Sequence, residues 1–175
     1  MSTLRSPITS DDHLLGNAHA KVQLVEYGDY QCPYCGEAFP VVQELARRYG
    51  QQIAIVFRHF PLTEAHPEAF NAAVVAEFAG SLGKFWQVHD TLYEHQNQLG
   101  PELYGRIVAS LGQDAADFER AVASGAFEKR IRHDMETGLR SGVNGTPCFF
   151  IDGQRADLTR FDELLELVGQ QVART

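Results

Sequence analysis

The sequence predicts a mixed α/β chain in which a βαβ half and a ββα half share one sheet, with an all-helical block set between them. Three observations predict it. Two strand-like apolar runs, at 21–27 and 53–57, flank a helical segment, apolar residues then recur at helical spacing from His66 to about Ser141, and strand character returns at 148–151 before a last amphipathic helix. With 175 residues, 44% of them hydrophobic, the chain is long enough for one domain with a real core and short for two. The expected organisation is a single domain over 1–175, with a core of 12–63 and 142–175 and a helical insertion over 64–141.

Residues 1–20 read as an arm with turns at Pro7 and Gly16. Lys21 to Tyr27 follows as a strand by its β-branched and apolar content, and its alternation sets Val22, Leu24 and Glu26 on one face, an odd place for a carboxylate. A helix is predicted from Pro33 to about Tyr49, with Pro33 suited to the first helical position and Pro40 set to kink it. Ile53 to Phe57 is continuously apolar, as a strand buried on both faces is, and short connections favour a right-handed parallel unit.

Phe70, Val74 and Phe78, then Phe85, His89 and Tyr93, then Ile107 and Leu111, then Ile131, Met135 and Leu139 mark four or five helices. Gly80, Gly83, Gly100, Gly112, Gly125 and Gly142 punctuate them, with Pro101 at one start and Asp114 as a cap. Cys148 to Ile151 reads as a strand, Asp152-Gly153 as a hairpin turn, and Arg155 to Asp157 as a brief partner strand. The last helix, capped by Thr159, carries Phe161, Leu164, Leu165 and Val168 on one stripe.

Lys and Arg total 15 against 23 Asp and Glu, a net charge of -8, which argues against a phosphate backbone or an anionic membrane as partner. A protein or a small thiol fits better. The first 20 residues show no apolar run with basic flanks and no small-residue cleavage site, so a cytoplasmic protein is expected, or a periplasmic one if a leader has been removed.

The segment QCPYCG at 31–36 puts two of the three cysteines at the start of a helix, directly after a strand. A thiol attacks as thiolate, and the unpaired amides and dipole at a helix N-terminus stabilise that form. Cys32 stands where this help is largest, and Cys35, one turn further in, is placed to resolve a mixed disulfide. The strand of Glu26 leads into this loop, so that a buried carboxyl there is a candidate proton acceptor for Cys35. Thr146-Pro147 before an apolar strand says only that Pro147 starts an edge and that Thr146 is extended.

The strand with Glu26, the CPYC helix with its internal Pro40, the helical block and Gly145-Thr146-Pro147 before a strand resemble the thioredoxin superfamily. Within it, EYGDYQCPYC, FRHFPL, GKFWQVHDTLY and SGVNGTP resemble the bacterial DsbA-like thiol:disulfide oxidoreductases, a thioredoxin-like fold with a helical insertion, over about Asp12 to Val168. The resemblance implies that Pro147 is a cis-proline facing the cysteines and that the Thr146 backbone pairs with an extended substrate peptide. It implies disulfide exchange with protein or peptide thiols, with glutathione as a further redox partner. No cofactor beyond the dithiol and no metal ligand is expected. Between the cysteines, Pro33 and Tyr34 form the active-site loop. Tyr34 offers the thiolate no cation, and a less oxidising pair is expected from it. Cys148, beside Pro147, is a candidate substrate-side thiol or a packed one, and His59 receives no role. The chain lacks the N-terminal dimerisation region of dimeric isomerases, so a monomer is expected. Two other readings compete: a zinc or iron–sulfur module built on Cys32, Cys35 and Cys148, and a glutathione-dependent transferase or isomerase of the same fold.

Overall fold

The computed structural model describes residues 2–175. Among them are the strands β1 (His13–Gly16), β2 (Val22–Gly28), β3 (Ile53–His59), β4 (Cys148–Ile151) and β5 (Gln154–Arg155). The helices are α1 (Pro33–Tyr49), α2 (Ala69–Ser81), α3 (Phe85–Glu94), α4 (Pro101–Ser110), α5 (Ala115–Ala123), α6 (Ala126–Arg140) and α7 (Glu163–Ala173). The strands form one sheet in the order β1-β3-β2-β4-β5. Its centre is the parallel pair β2 and β3, in register from Val22 with Ile53 to Gly28 with His59, and the other neighbours are antiparallel.

Both sheet faces are covered, which is why all seven residues of β3 are buried and why Ile53 to Phe57 are continuously apolar, with Arg58 and His59 following at its end. On one face Val22, Leu24, Ile53 and Ile55 meet Ala38, Val42 and Leu45 of α1 and Leu164 and Val168 of α7. Each fully buried leucine among these contributes roughly 1.5–3 kcal/mol of burial. On the other face Val25, Tyr27, Val56, Cys148 and Phe150 pack with Phe60, Val143 and, from the N-terminal segment, Leu4 and Ile8. Helix α6 lies on this face, where the Tyr27 hydroxyl is 2.9 Å from that of Thr137. Residues of α2, α3 and α4, Val75, Leu92 and Ile107 among them, share one core with Cys32 and Cys35. The helical block and the redox end are thus one packed body.

Several elements differ from expectation. The N-terminal arm contains β1, which pairs with β3 from His13 opposite Phe57 to Gly16 opposite Ala54. Four residues give too short a pattern to register as alternation, and the edge is held also by the Trp86 indole, which donates to the Leu14 carbonyl at 3.1 Å. Gly80 lies inside α2, where a side chain would crowd His13, rather than between helices. Helix α7 starts at Glu163, and Thr159 lies outside it, its amide donating to the Glu163 carboxylate at 3.0 Å. The partner of β4 is Gln154–Arg155, reached through a turn in which Asp152 (φ 49°) and Gly153 (φ 78°) are both left-handed, the conformation that Asp-Gly favours. Asp114 caps α5 as expected, reciprocally with Asp117. Helix α1 runs through Pro40 to Tyr49.

Candidate functional site

Cys32 is the N-cap of α1 and Cys35 lies in its first turn, 3% and 0% exposed. Pro33 at the first helical position needs no amide partner, so the helix opens at the nucleophile without cost. The Cys32 thiol donates to the carbonyl of Thr146 at 3.4 Å, across 114 residues of sequence. The Thr146-Pro147 peptide bond is cis. Tyr34 is 62% exposed and marks the rim of the site.

The electrostatics separate the two thiols. Cys32 is drawn down to about 5, first by the Cys35 thiol, then against desolvation by Thr146 and the backbone of Cys35 and Tyr34. Cys35 is pushed well up by desolvation, and further by the Cys32 thiol and the charge of Glu26. Glu26 is 3% exposed, on the sheet face that α1 covers, and desolvation raises its carboxyl to about 8. Its Oε1 has no partner among the described residues, and neither does the buried hydroxyl of Tyr93.

Cys148 does not join the pair. Side chains alternate along β4, so Cys148 and Phe150 face α6 and the N-terminal segment while Phe149 and Ile151 face α1 and α7. The Cys148 thiol is buried and its pKa raised by desolvation, as a packing residue's would be.

Three supports were not legible from the motif. Asp29, 1% exposed, accepts from the amides of Gln31 (2.8 Å), Cys32 (3.2 Å) and Leu62 (2.9 Å) and pairs with His66 Nδ1 at 2.7 Å. Its place two residues before Gln31 is an Asx-turn spacing, a signal the sequence does carry. Gln96, from the turn after α3, donates its amide to the carbonyls of Tyr30 (2.8 Å) and Cys32 (2.9 Å). A Cβ on Gly36 would stand 2.5 Å from Gln96 Oε1, so a side chain there would displace the Gln96 amide from these carbonyls. The Tyr30 hydroxyl meets His89 Nδ1 at 2.9 Å. Nothing local to Gln96 or His89 announces these contacts.

The thioredoxin family model matches residues 9–170, and the chain belongs to that family. Fold and site together place the chain in the thioredoxin family, with the fold of DsbA-like proteins. Among solved structures it is similar to BdbD from Bacillus subtilis, with a TM-score of 0.83, 18% identity and 98% of each chain covered. It is similar also to the thiol-disulfide exchange protein α-DsbA2 from Wolbachia pipientis, with a TM-score of 0.78, 24% identity, and 93% of this chain and 88% of that one covered. Among curated proteins, a Na(+)/H(+) antiporter NhaA 3 of Salinispora tropica is 42% identical over 153 residues, 87% of this chain and 23% of the relative. An NhaA 1 of Mycobacterium sp. strain KMS is 37% identical over 156 residues, 87% of this chain and 25% of the relative. The chain thus spans about a quarter of the length of these relatives.

Proposed function

We propose that this protein exchanges disulfides with protein or peptide substrates through Cys32 and Cys35. The observation that carries the reading is the split between the two thiols: one at a helix N-terminus, drawn down to about 5, the other buried beneath it and pushed up. In the reducing direction the Cys32 thiolate attacks a substrate sulfur, the substrate S–S bond breaks, and one substrate thiolate leaves. Cys35 then yields its proton to the Glu26 carboxylate and attacks Cys32 Sγ, which releases the second substrate thiolate and closes the Cys32–Cys35 disulfide. In reverse, Glu26 returns the proton to Cys35. A carboxyl raised to about 8 stands nearer the Cys35 thiol, itself pushed up, than an ordinary carboxylate would, which lowers the cost of the transfer.

Cys32 is almost wholly covered, and the backbone of Thr146 lies at its sulfur, which suits an extended peptide laid beside the cis-proline loop. A stabilised thiolate favours the reduced pair and so makes the disulfide a better oxidant, which weighs against the weak oxidant that Tyr34 alone suggests. Glutathione is the small thiol proposed to equilibrate with it.

The metal reading built on cysteines is not favoured, because Cys148 faces the other side of the sheet and the described metal-compatible cluster contains no cysteine. A transferase has no use for a resolving Cys35. Antiport is not assigned: the family match spans most of the aligned segment, and no helix of the described residues is long and apolar enough to cross a membrane.

The test is equilibration in glutathione buffers of graded ratio, acid quench, alkylation of free thiols and peptide mapping by mass. A reversible Cys32–Cys35 disulfide is expected, with exchange abolished in Cys32→Ser and mixed disulfides trapped in Cys35→Ser. Full activity of Cys32→Ser, or absence of any reversible disulfide at the pair, would overturn the reading.

A further inference from the structure

A second cluster of reactive side chains lies apart from the cysteines. His13 opens β1, His59 closes β3, and Glu77 stands within α2. Nε2 of His13 is 2.5 Å and Nε2 of His59 2.8 Å from the same oxygen, Oε1 of Glu77. One ligand atom from each of the three lies within 4.8 Å of the others. His59 is 1% and Glu77 7% exposed, whereas His13 is partly open to a surface cavity of about 320 Å³ lined also by Gly80, Lys84, Phe85 and Trp86.

We infer that His13, His59 and Glu77 form a site for one divalent transition-metal ion of the zinc class, which clips the edge strand β1 to β3 and α2. Two imidazole nitrogens and one carboxylate oxygen suit zinc and its neighbours, whereas calcium and magnesium prefer all-oxygen sets. Three protein ligands leave a fourth position, which a water reaching in past His13 from the cavity it lines would fill. Ligands at zinc lie about 2.0–2.2 Å from the metal and hence roughly 3.3 Å from one another, so the cluster has to open by less than about 1 Å.

Hydrogen bonding within the chain leaves the cluster under-satisfied. One carboxylate oxygen serves two buried or partly buried rings, each through Nε2. The surroundings are otherwise committed. Phe85 lies flat on the His13 ring at 3.6 Å and 3°, which fixes its plane, and a Cβ on Gly80 would come to 3.0 Å of His13 Cε1. Asp12, next in sequence to His13, is held by the Arg58 guanidinium at 2.8 and 3.0 Å and is not free to ligate. On binding, each Nε2 gives its lone pair to the ion and its proton to Nδ1 or to solvent, and the two positive charges offset the buried carboxylate. No electron is transferred.

The experiment uses the full chain with the Cys32–Cys35 disulfide closed and Cys148 replaced by serine, so that no thiolate competes. Co²⁺ and Zn²⁺ are titrated into metal-free protein, read by visible absorption for cobalt, by calorimetry for zinc, and by thermal unfolding. Expected are one ion per chain, tetrahedral cobalt bands without thiolate charge transfer, and a melting temperature that rises with ion concentration. His13→Ala and Glu77→Gln should each weaken binding at least tenfold and abolish the thermal shift, while disulfide exchange by the corresponding three-cysteine proteins persists. No stoichiometric binding, or binding that both substitutions leave unchanged, would overturn the site. Either result leaves the exchange reading standing on its own test.

Discussion

At the scale of single residues, the site works by giving two chemically identical thiols opposite surroundings. The reduced protein should therefore be alkylated at Cys32 with a half-maximal rate near pH 5, more than three pH units below an ordinary thiol at about 8.5. Stopped-flow alkylation over a pH series checks this. Glu26 carries the opposite sign. Folded, its carboxyl keeps a proton up to about 8, whereas the unfolded chain releases it near 4.5, so stability falls as pH rises through that window. Glu26→Gln should flatten this slope, making the protein more stable at pH 8 by up to about 4 kcal/mol and little changed at pH 4. The same variant should accumulate mixed disulfide, since Cys35 loses its proton acceptor; denaturant curves and non-reducing gels read the two effects separately. The cysteine pair and Glu26 were legible because strand alternation and a helix start are local patterns. Gln96 was not, because its meaning lies in two carbonyls more than sixty residues away.

At the scale of elements, helix α1 is held from both ends of the chain's logic: its apolar stripe by the sheet and α7, its opening turn by Gln96. Leu164→Ala removes a fully buried side chain at the first of these contacts and should cost about 2–5 kcal/mol in chemical denaturation. The second is tested by a double-mutant cycle. Gly36→Ala collides with Gln96 and should destabilise alone, but much less in the Gln96→Ala background, where the obstacle is gone. Additive losses would show that the two residues do not meet. Helices and long strands were readable because their periodicity spans many residues. The four-residue β1 was not, since an edge strand this short is specified by what it pairs with, chiefly β3 and Trp86, rather than by its own pattern.

At the scale of the whole molecule, the sheet acts as a partition. Amide exchange should be slowest in β2 and β3, which are paired on both edges and covered on both faces, and faster in β1 and β5 at the rims. The net charge of -8 predicts that exchange slows with acidic substrates and recovers as salt rises, while basic substrates show the reverse. The side-chain alternation along β4 carries a last consequence. With the Cys148 side chain turned to the α6 face of β4, a crosslink to Cys32 or Cys35 needs β4 to be displaced from its place beside β2. Such a crosslink is a molecular scar: its abundance after stress records how many molecules opened at β4 and failed to return.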